Sequence, residues 1–125
     1  MIQDKIVLIS DKLNAILKSE YLSFAEVAAL KNITGVYFIF NGVDELLYIG
    51  NTNKFHIRFG TDLKHESTHT FVRKLIRFGV FSTRYEVVHY LTGTCKFKIS
   101  VCETKREAEA LESLSIYILN PIYNK

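Results

Sequence analysis

The chain has 125 residues, of which 48% are hydrophobic and 23% are charged, and its formal net charge is +3. This length supports one packed core and not two, and the composition is that of an ordinary globular domain. No apolar run is long enough to span a bilayer, and the first residues lack the pattern of a signal peptide. We therefore expect a cytoplasmic protein with no membrane partner.

The segment from Lys54 to Arg84 is more basic than the rest of the chain. It carries seven Lys or Arg residues against two acidic residues, and it holds His56, His65 and His69. Such a concentration suits a polyanion, above all a nucleic-acid backbone. The alternative is that these residues form the solvated faces of helices. We expect His56 and His69 to be phosphate contacts or surface residues.

The two cysteines, Cys95 and Cys102, are seven residues apart and form no CxxC pair. Free buried thiols are the expected state, because structural zinc sites usually show paired ligands at short spacing. A zinc site shared by both cysteines and two histidines is the alternative.

The N-terminal part of the sequence is predicted to be helical. Apolar residues recur at helical spacing over Ile6–Leu17, with Asp4 placed to cap. Ser23 and Glu26 form a capping-box pattern that predicts a second, shorter helix. We expect residues 1–32 to form a helical extension packed on the same domain as the rest of the chain.

A β-hairpin follows the helical extension. Val36–Phe40 consists of β-branched and aromatic residues, which favours a strand. Asn41-Gly42 is a turn signal, and Leu46–Ile49 is the predicted return strand, which Gly50 ends.

The later elements each have a start or stop signal. The first is a helix from about Lys54, capped by one of residues 51–53 and broken near Gly60, and the second is a helix capped by Thr68 or Thr70 and ended by Gly79. A helix over Ser82–Leu91 follows, and then a half-buried strand over Phe97–Val101, in which Lys98 and Ser100 alternate with apolar residues. The last element is a helix from Thr104 to Asn120. This order indicates an α+β domain.

Glu112 is the anomaly of the final helix. The face of that helix predicted to pack on the core is a stripe of small or apolar residues, Ala108, Leu111, Ser115 and Ile118. The face that carries Glu112 is otherwise apolar, since it holds Ala108, Ile116 and Leu119. A buried carboxylate is costly unless a cation pairs with it. Either Glu112 reaches the edge of the helix, or it meets an arginine or a metal ion.

Tyr37 and Tyr48 are predicted to share one face of the hairpin. They can be core tyrosines with satisfied hydroxyl groups. They can also flank a reacting phosphate, where a phenol positions or deprotonates water if a nearby cation lowers its pKa from about 10. The two interpretations stay open at this point.

Five short motifs in order resemble the signature of the GIY-YIG nuclease superfamily. They are Gly35-Val36-Tyr37, with Val36 in place of the usual isoleucine, Tyr48-Ile49-Gly50, Arg58 ten residues after Tyr48, Ala110-Leu111-Glu112, and Pro121-Ile122-Tyr123-Asn124. The resemblance covers Ile33 to Asn124, so residues 33–125 are expected to form the nuclease-like domain. It implies a three-stranded antiparallel sheet flanked by helices, and hydrolysis of DNA phosphodiester bonds with one divalent metal ion.

The resemblance also implies a role for each matching residue. Glu112 would be the single protein ligand of Mg²⁺ or Mn²⁺, a sparse coordination that is normal for magnesium at phosphate sites. Tyr37 would be the general base or would orient water, and Tyr48 would contact the phosphate or a water molecule on the cation. Arg58 would bind the scissile phosphate. The structural supports of the site would be Gly50 and Asn124.

One position departs from the family pattern. Many members have His or Tyr four residues after the arginine, and this chain has Asp62 there. His65, one turn further on, could supply the missing acid/base function as a catalytic residue. Alternatively, Asp62 could simply pair with Arg58.

The basic residues of the segment would hold the DNA backbone without reading its sequence. They are Lys54, Lys64, Arg73, Lys74 and Arg77. The expected partner is therefore double-stranded or branched DNA, with a homodimer or a recruiting protein as a further possibility. The alternative function is a catalytically weak or inactive nucleic-acid-binding module of the same fold.

Overall fold

The computed structural model describes residues 1–31, 33–64 and 69–125. Its elements are α1 (Ile2–Lys18), α2 (Phe24–Ala28), β1 (Gly35–Phe40), β2 (Leu46–Thr52), α3 (Phe55–Arg58), a 3₁₀ turn (Thr61–Lys64), α4 (Thr70–Arg77), α5 (Arg84–Gly93), β3 (Lys96–Val101) and α6 (Lys105–Leu119). Within these described ranges, no helix has both the length and the apolar content that crossing a bilayer requires.

The three strands form one antiparallel sheet in the order β2-β1-β3. This arrangement, with helices around it, confirms the predicted α+β architecture. The register places Tyr37 opposite Gly50 and Ile39 opposite Tyr48. Residues that face each other across an antiparallel pair point to the same side of the sheet, as do residues two apart on one strand. Tyr37 and Tyr48 therefore lie on one face.

Strand β2 does not end at Gly50, as the sequence predicted, but continues to Thr52. The glycine is needed for a different reason. A Cβ atom at this position would lie 2.4 Å from the phenol oxygen of Tyr37 and 2.5 Å from its Cζ atom. Gly50 thus makes room for the Tyr37 ring, which packs directly against the backbone of the neighbouring strand.

Helices cover both faces of the sheet and create two apolar clusters. The tyrosine face packs against α2–α5, and its cluster includes Phe55, Phe59, Phe71 and Leu91. The opposite face packs against α1 and α6, and its cluster includes Leu13, Ile16, Val36, Phe38, Ile49, Ala108 and Leu111. The central strand β1 is buried on both faces.

The N-terminal segment is bonded to the edge strand β3. The backbones of Leu22 and Phe97 exchange two hydrogen bonds of 2.6 and 3.0 Å. Lys12 donates to the carbonyl of Val101 at 2.8 Å and forms an ion pair with Glu107 at 3.0 Å. These bonds attach the extension to the sheet and to α6.

Helix α1 differs from its prediction in bounds and in burial. It begins at Ile2, so Asp4 lies in its first turn and is not the N-cap. Only Leu13 and Ile16 of the predicted apolar stripe are buried, whereas Ile6 is 61% and Leu17 is 41% exposed. The first half of α1 extends past the sheet that its second half covers.

The alternation predicted for β3 is wrong in its polar half. Lys98 and Ser100 are buried and Val101 is exposed. Lys98 can be buried because its ammonium donates to the Leu17 carbonyl at 3.0 Å and lies 4.7 Å from the centre of the Tyr21 ring. A cation is favourable at the carbonyl end of a helix and over an aromatic face.

The helix boundaries follow local capping chemistry. Thr83 and Glu86 form a capping box at the start of α5, which runs on to Gly93, two residues past the predicted end. Gly79 has φ +73° after α4, as a C-terminal glycine should. Thr70 is the first residue of α4 and does not cap it, while Thr68 lies outside the described residues.

The last helix is capped by Thr104, which accepts from the Glu107 amide at 3.1 Å. The Glu107 carboxylate accepts from the Glu103 amide and not from the cap residue. The stripe prediction holds for Ala108, Leu111 and Ser115, whereas Ile118 is exposed. The helix ends at Asn120, which is left-handed with φ 46°.

The cysteines are both free and buried. Cys95 belongs to the cluster on the tyrosine face, and Cys102 belongs to the cluster on the opposite face. The sheet separates the two thiols, so a shared zinc site is excluded.

His69 is fully buried, and the expectation of a phosphate contact or a surface position is wrong. Its ring meets the ring of Phe59 edge to face at 5.7 Å between centroids. Among the described residues, neither ring nitrogen has a hydrogen-bond partner. Burial, with a smaller contribution from the charge of Arg58, lowers the pKa of His69 to about 3. His56 is half-buried.

We expect Gly50→Ala to destabilise the fold by about 1–3 kcal/mol, because the added methyl group must displace the Tyr37 ring or the strand. Gly93→Ala is the control. A Cβ atom there meets nothing within 4 Å, so the free energy of unfolding should stay unchanged or rise slightly. Urea unfolding measures both, and equal effects of the two substitutions would contradict the packing argument.

The stability of the protein should depend on His69 between pH 3 and pH 6.5. The unfolded chain takes up a proton near pH 6.5, and native His69 does so only near pH 3. The free energy of unfolding therefore falls as the pH drops through this window, by about 2 kcal/mol from pH 7 to pH 5.

His69→Leu should remove this part of the pH dependence, whatever its effect on stability at pH 7. The control is His89→Gln, because His89 is exposed. Urea unfolding at pH 5, 6 and 7 gives the slopes. If His69→Leu keeps the slope of the unsubstituted chain, His69 is not the group responsible.

Candidate active site

Tyr37 lies at the centre of the aromatic cluster on one face of the sheet. It is 1% exposed, and its ring packs edge to face on Phe59 at 5.0 Å and on Phe55 at 6.2 Å. The Tyr48 ring lies 6.3 Å away in a tilted arrangement. Arg58 lies near the Tyr37 hydroxyl, close enough to lower its pKa. The hairpin and α3 thus bring both tyrosines and the arginine together.

Both phenols are less acidic than free tyrosine. Burial raises the pKa of Tyr37 far above 10, the neighbouring Tyr48 adds to this, and Arg58 offsets only part of it. Burial and the charge of Glu112 likewise raise the pKa of Tyr48, against Arg58, Thr70 and Arg73. At neutral pH both tyrosines are therefore neutral and act as hydrogen-bond donors.

Arg58 is placed by a single helical turn. The Thr52 hydroxyl accepts from the Lys54 amide at 3.1 Å just before α3 begins. Gly60 ends this turn, where a Cβ atom would lie 2.3 Å from the carbonyl oxygen of His56. The chain then bends into the 3₁₀ turn, so the Arg58 helix does not continue to Asp62.

The bend nevertheless brings Asp62 back to Arg58. Nη1 of Arg58 lies 3.4 Å from Oδ2 of Asp62, and both side chains are largely shielded from solvent. The pairing considered from the sequence is thus present in the structure. His65, the other candidate for the missing acid/base function, lies outside the described residues.

Glu112 extends from α6 towards the end of β2 and is half-buried. Burial raises the pKa of its carboxyl group, and the charge of Glu109 adds to this, whereas a hydrogen bond from Asn51 opposes it. The Asn51 amide donates this bond to Oε1 of Glu112. In the part of the chain that the structure describes, no lysine or arginine forms an ion pair with Glu112.

Glu112 belongs to the same electrostatic environment as the tyrosines. Its charge raises the pKa of Tyr48 and, to a smaller extent, that of Tyr37. Arg58 and Glu112 therefore both act on the two tyrosines, although Glu112 is 54 or more residues away from the others.

Asn51 is a site residue that the sequence reasoning missed. The sequence predicts Asn51 as one of the possible caps of a helix, because the strand is predicted to stop at Gly50. Since β2 continues to Thr52, Asn51 points to the same side of the sheet as Ile49, which packs with Leu111 of α6. Strand alternation is the signal that could have found it, because a strand extended by two residues places Asn51 on the α6 side of the sheet.

Asn124 binds the exposed edge of β2 beside Tyr48. Its Oδ1 accepts from the Ile49 amide at 2.7 Å, and its Nδ2 donates to the Ile49 carbonyl at 2.8 Å. The Tyr123 amide adds a bond of 2.8 Å to the Leu47 carbonyl. The C-terminal segment therefore fixes the strand that carries Tyr48.

The predicted backbone-binding residues differ in their environments. Lys54, Lys64, Arg73 and Arg77 are exposed. Lys74 instead donates to the backbone oxygens of Tyr123 and Lys125, at 3.0 Å each, and lies 5.6 Å from the centre of the Tyr48 ring. Burial lowers the pKa of Lys74, and the charges of Arg77 and Arg73 add to this effect. Lys74 borders the site but is engaged within the protein.

The residues present fit a magnesium or manganese ion. Glu112 offers a half-buried carboxylate, the hard oxygen donor that these cations prefer. Within residues 1–31, 33–64 and 69–125, no group of three or more His, Cys, Asp or Glu side chains could hold a metal. The remaining ligands would be water and phosphate oxygens, as is usual for Mg²⁺ at phosphate sites.

Comparisons with known proteins point to one fold. No protein-family model matches the chain, and no match is found among curated proteins. Among solved structures, it is similar to the GIY-YIG N-terminal endonuclease domain of UvrC from Thermotoga maritima bound to its catalytic magnesium ion, with 22% identity and a TM-score of 0.54 over 81% of this chain and 93% of that chain.

A point mutant of the same UvrC domain, also bound to its catalytic divalent cation, gives a closely similar result. The identity is 23% and the TM-score is 0.54, over 81% of this chain and 92% of that chain. At this level of identity the similarity establishes architecture, and it agrees with the strand order and flanking helices described above. The chain has the GIY-YIG endonuclease fold.

Proposed function

We propose that this protein is a divalent-metal-dependent DNA endonuclease that hydrolyses phosphodiester bonds. One observation carries the proposal. Glu112 has no cationic partner within the described residues, and its charge acts on the two phenols that also feel Arg58. A half-buried carboxylate and a guanidinium whose charges act on the same two hydroxyl donors suit a cation and a phosphate together.

Arg58 would bind the scissile phosphate and stabilise the charge that develops on it. In the structure its guanidinium pairs with Asp62 and lies near the Tyr37 hydroxyl, whose pKa it lowers. A phosphate that approaches Arg58 therefore competes with the Asp62 carboxylate. Asp62 keeps the arginine in place and compensates its charge until the substrate arrives.

Tyr37 and Tyr48 would act as neutral hydrogen-bond donors. The raised pKa values of both phenols favour the water-orienting role of Tyr37 over the role of general base, because deprotonation is opposed by burial and by Glu112. Tyr37 would orient the attacking water and Tyr48 would contact the phosphate. Gly50 and Asn124 support this geometry by seating Tyr37 and fixing β2.

Glu112 would hold a Mg²⁺ or Mn²⁺ ion, which supplies polarisation of the phosphate and stabilisation of the leaving oxygen. The magnesium-bound UvrC domain of the same fold supports a divalent cation here. His65 is a candidate proton donor or acceptor at this site.

The substrate would be held through its backbone by exposed basic residues. Among them, Arg73 acts on the site directly, since its charge lowers the pKa of Tyr48. Lys54, Lys64 and Arg77 would extend the contact along double-stranded or branched DNA. Lys74 would contribute its charge while bound to the C-terminal segment.

A nucleic-acid-binding module with little or no catalysis is the second candidate. The observation that favours it is the Arg58–Asp62 pair, because many GIY-YIG nucleases have His or Tyr at the position that Asp62 occupies here. Such a module would bind DNA through the same basic residues and would leave it uncut.

Glu112→Gln should abolish Mg²⁺- or Mn²⁺-dependent nicking of supercoiled plasmid, with a loss of about 100-fold or more, because the cation loses its only protein ligand. DNA binding in a gel-shift assay should survive. Glu109→Gln is the matched control, on the same helix and exposed.

Undiminished nicking by Glu112→Gln would refute the assignment of the metal ligand. If the wild-type protein binds DNA but cuts neither plasmid, single-stranded nor branched DNA with either metal, the binding module is the correct function.

Arg58→Ala should lower the turnover rate by about 100- to 1000-fold, as expected when one donor to a developing charge is removed. Asp62→Asn should instead strengthen DNA binding several-fold, because the competing negative charge is gone. Nicking rates and gel shifts at one fixed salt concentration test both. A loss of nicking in Asp62→Asn as large as that in Arg58→Ala would mean that Asp62 acts in the reaction itself.

A further inference from the structure

The bond between Asn51 and Glu112 joins the sheet to the helix that carries the candidate metal ligand. Asn51 lies on β2 and Glu112 on α6, 61 residues apart in the sequence. Both side chains are half-buried. It is the one hydrogen bond that the Glu112 side chain makes to the described residues.

This bond uses one carboxylate oxygen and leaves the other. The Asn51 amide donates to Oε1, so Oε2 is the oxygen that a cation would reach without displacing the amide. A glutamate side chain has several rotatable bonds, and ordering it costs conformational entropy. Because the bond from Asn51 fixes the orientation of the carboxylate, the Glu112 side chain is already ordered when the cation binds, and less entropy is lost on binding.

Asn51 is an uncharged donor, and this affects how strongly Glu112 can bind a cation. A lysine or arginine at this position could hold Glu112 equally well, but its charge would cancel that of the carboxylate and weaken cation binding. An amide donates the hydrogen bond while the carboxylate keeps its full charge.

We infer that Asn51 is a positioning residue, which orients the Glu112 carboxylate for the divalent cation. The inference rests on the proposed function, in which Glu112 holds that cation. Hydrogen-bonding partners of metal ligands typically contribute about 10- to 100-fold to metal affinity.

Mn²⁺ binding to the free protein tests the inference without an activity assay. The paramagnetic resonance signal of unbound Mn²⁺ gives the dissociation constant. We expect Asn51→Ala to raise it by about 10-fold. Asn51→Leu, which removes the donor but fills the same space, should have the same effect and decides the matter if the alanine variant does not fold.

Two further variants complete the experiment. Asn53→Ala is the matched control, because Asn53 is exposed two residues away on the same segment, and it should bind Mn²⁺ like the wild type. Glu112→Gln should lose the binding. Circular dichroism confirms that each variant is folded.

The two hypotheses fail in different ways. If Glu112→Gln loses Mn²⁺ while both Asn51 variants bind it with wild-type affinity, the positioning role is overturned and the proposed metal site stands. If Glu112→Gln binds Mn²⁺ as tightly as the wild type, the metal site itself is wrong and the inference falls with it.

Discussion

The contact between the Tyr37 ring and the backbone at Gly50 is the constraint on which the site depends. It holds the phenol against the neighbouring strand, near Arg58, and the ring packs edge to face on Phe59. Because the ring is buried on all sides, the hydroxyl cannot swing away. The aromatic cluster is therefore both the main core on this face and the support of the Tyr37 hydroxyl.

The polar groups of the site are balanced against one another. Asp62 compensates Arg58, and Asn51 binds Glu112 without cancelling its charge. This keeps the cost of burying charged groups low while the site holds no substrate. In the proposed function, Arg58 would exchange Asp62 for a phosphate, and Glu112 would gain a cation beside its bond to Asn51.

Much of the fold could be predicted because its signals are local. The Thr83–Glu86 capping box and the hairpin turn at Asn41-Gly42 involve residues that bond to near neighbours, so their pattern is visible in the sequence. The shared face of Tyr37 and Tyr48 followed from strand alternation alone.

The predictions that were wrong concern residues whose burial or hydrogen bonding depends on a partner elsewhere in the chain. Lys98 is buried because α1 presents a carbonyl and Tyr21 presents a ring, and neither partner is visible in the alternation of β3. Asn51 is a Glu112 partner only because β2 runs past a glycine whose role is to accommodate Tyr37. Burial of His69 likewise depends on the ring of Phe59 ten residues earlier.

The side chain of Asn124 has a consequence for how the molecule meets other molecules. Its amide bonds to both the N–H and the C=O of Ile49, as a peptide group of an added strand would. An uncovered edge strand is a template for pairing with another chain, which leads to aggregation. Asn124 occupies this template at the residue next to Tyr48, and the Tyr123 amide bonds to the Leu47 carbonyl. The C-terminal segment therefore closes this part of the edge against pairing with another chain.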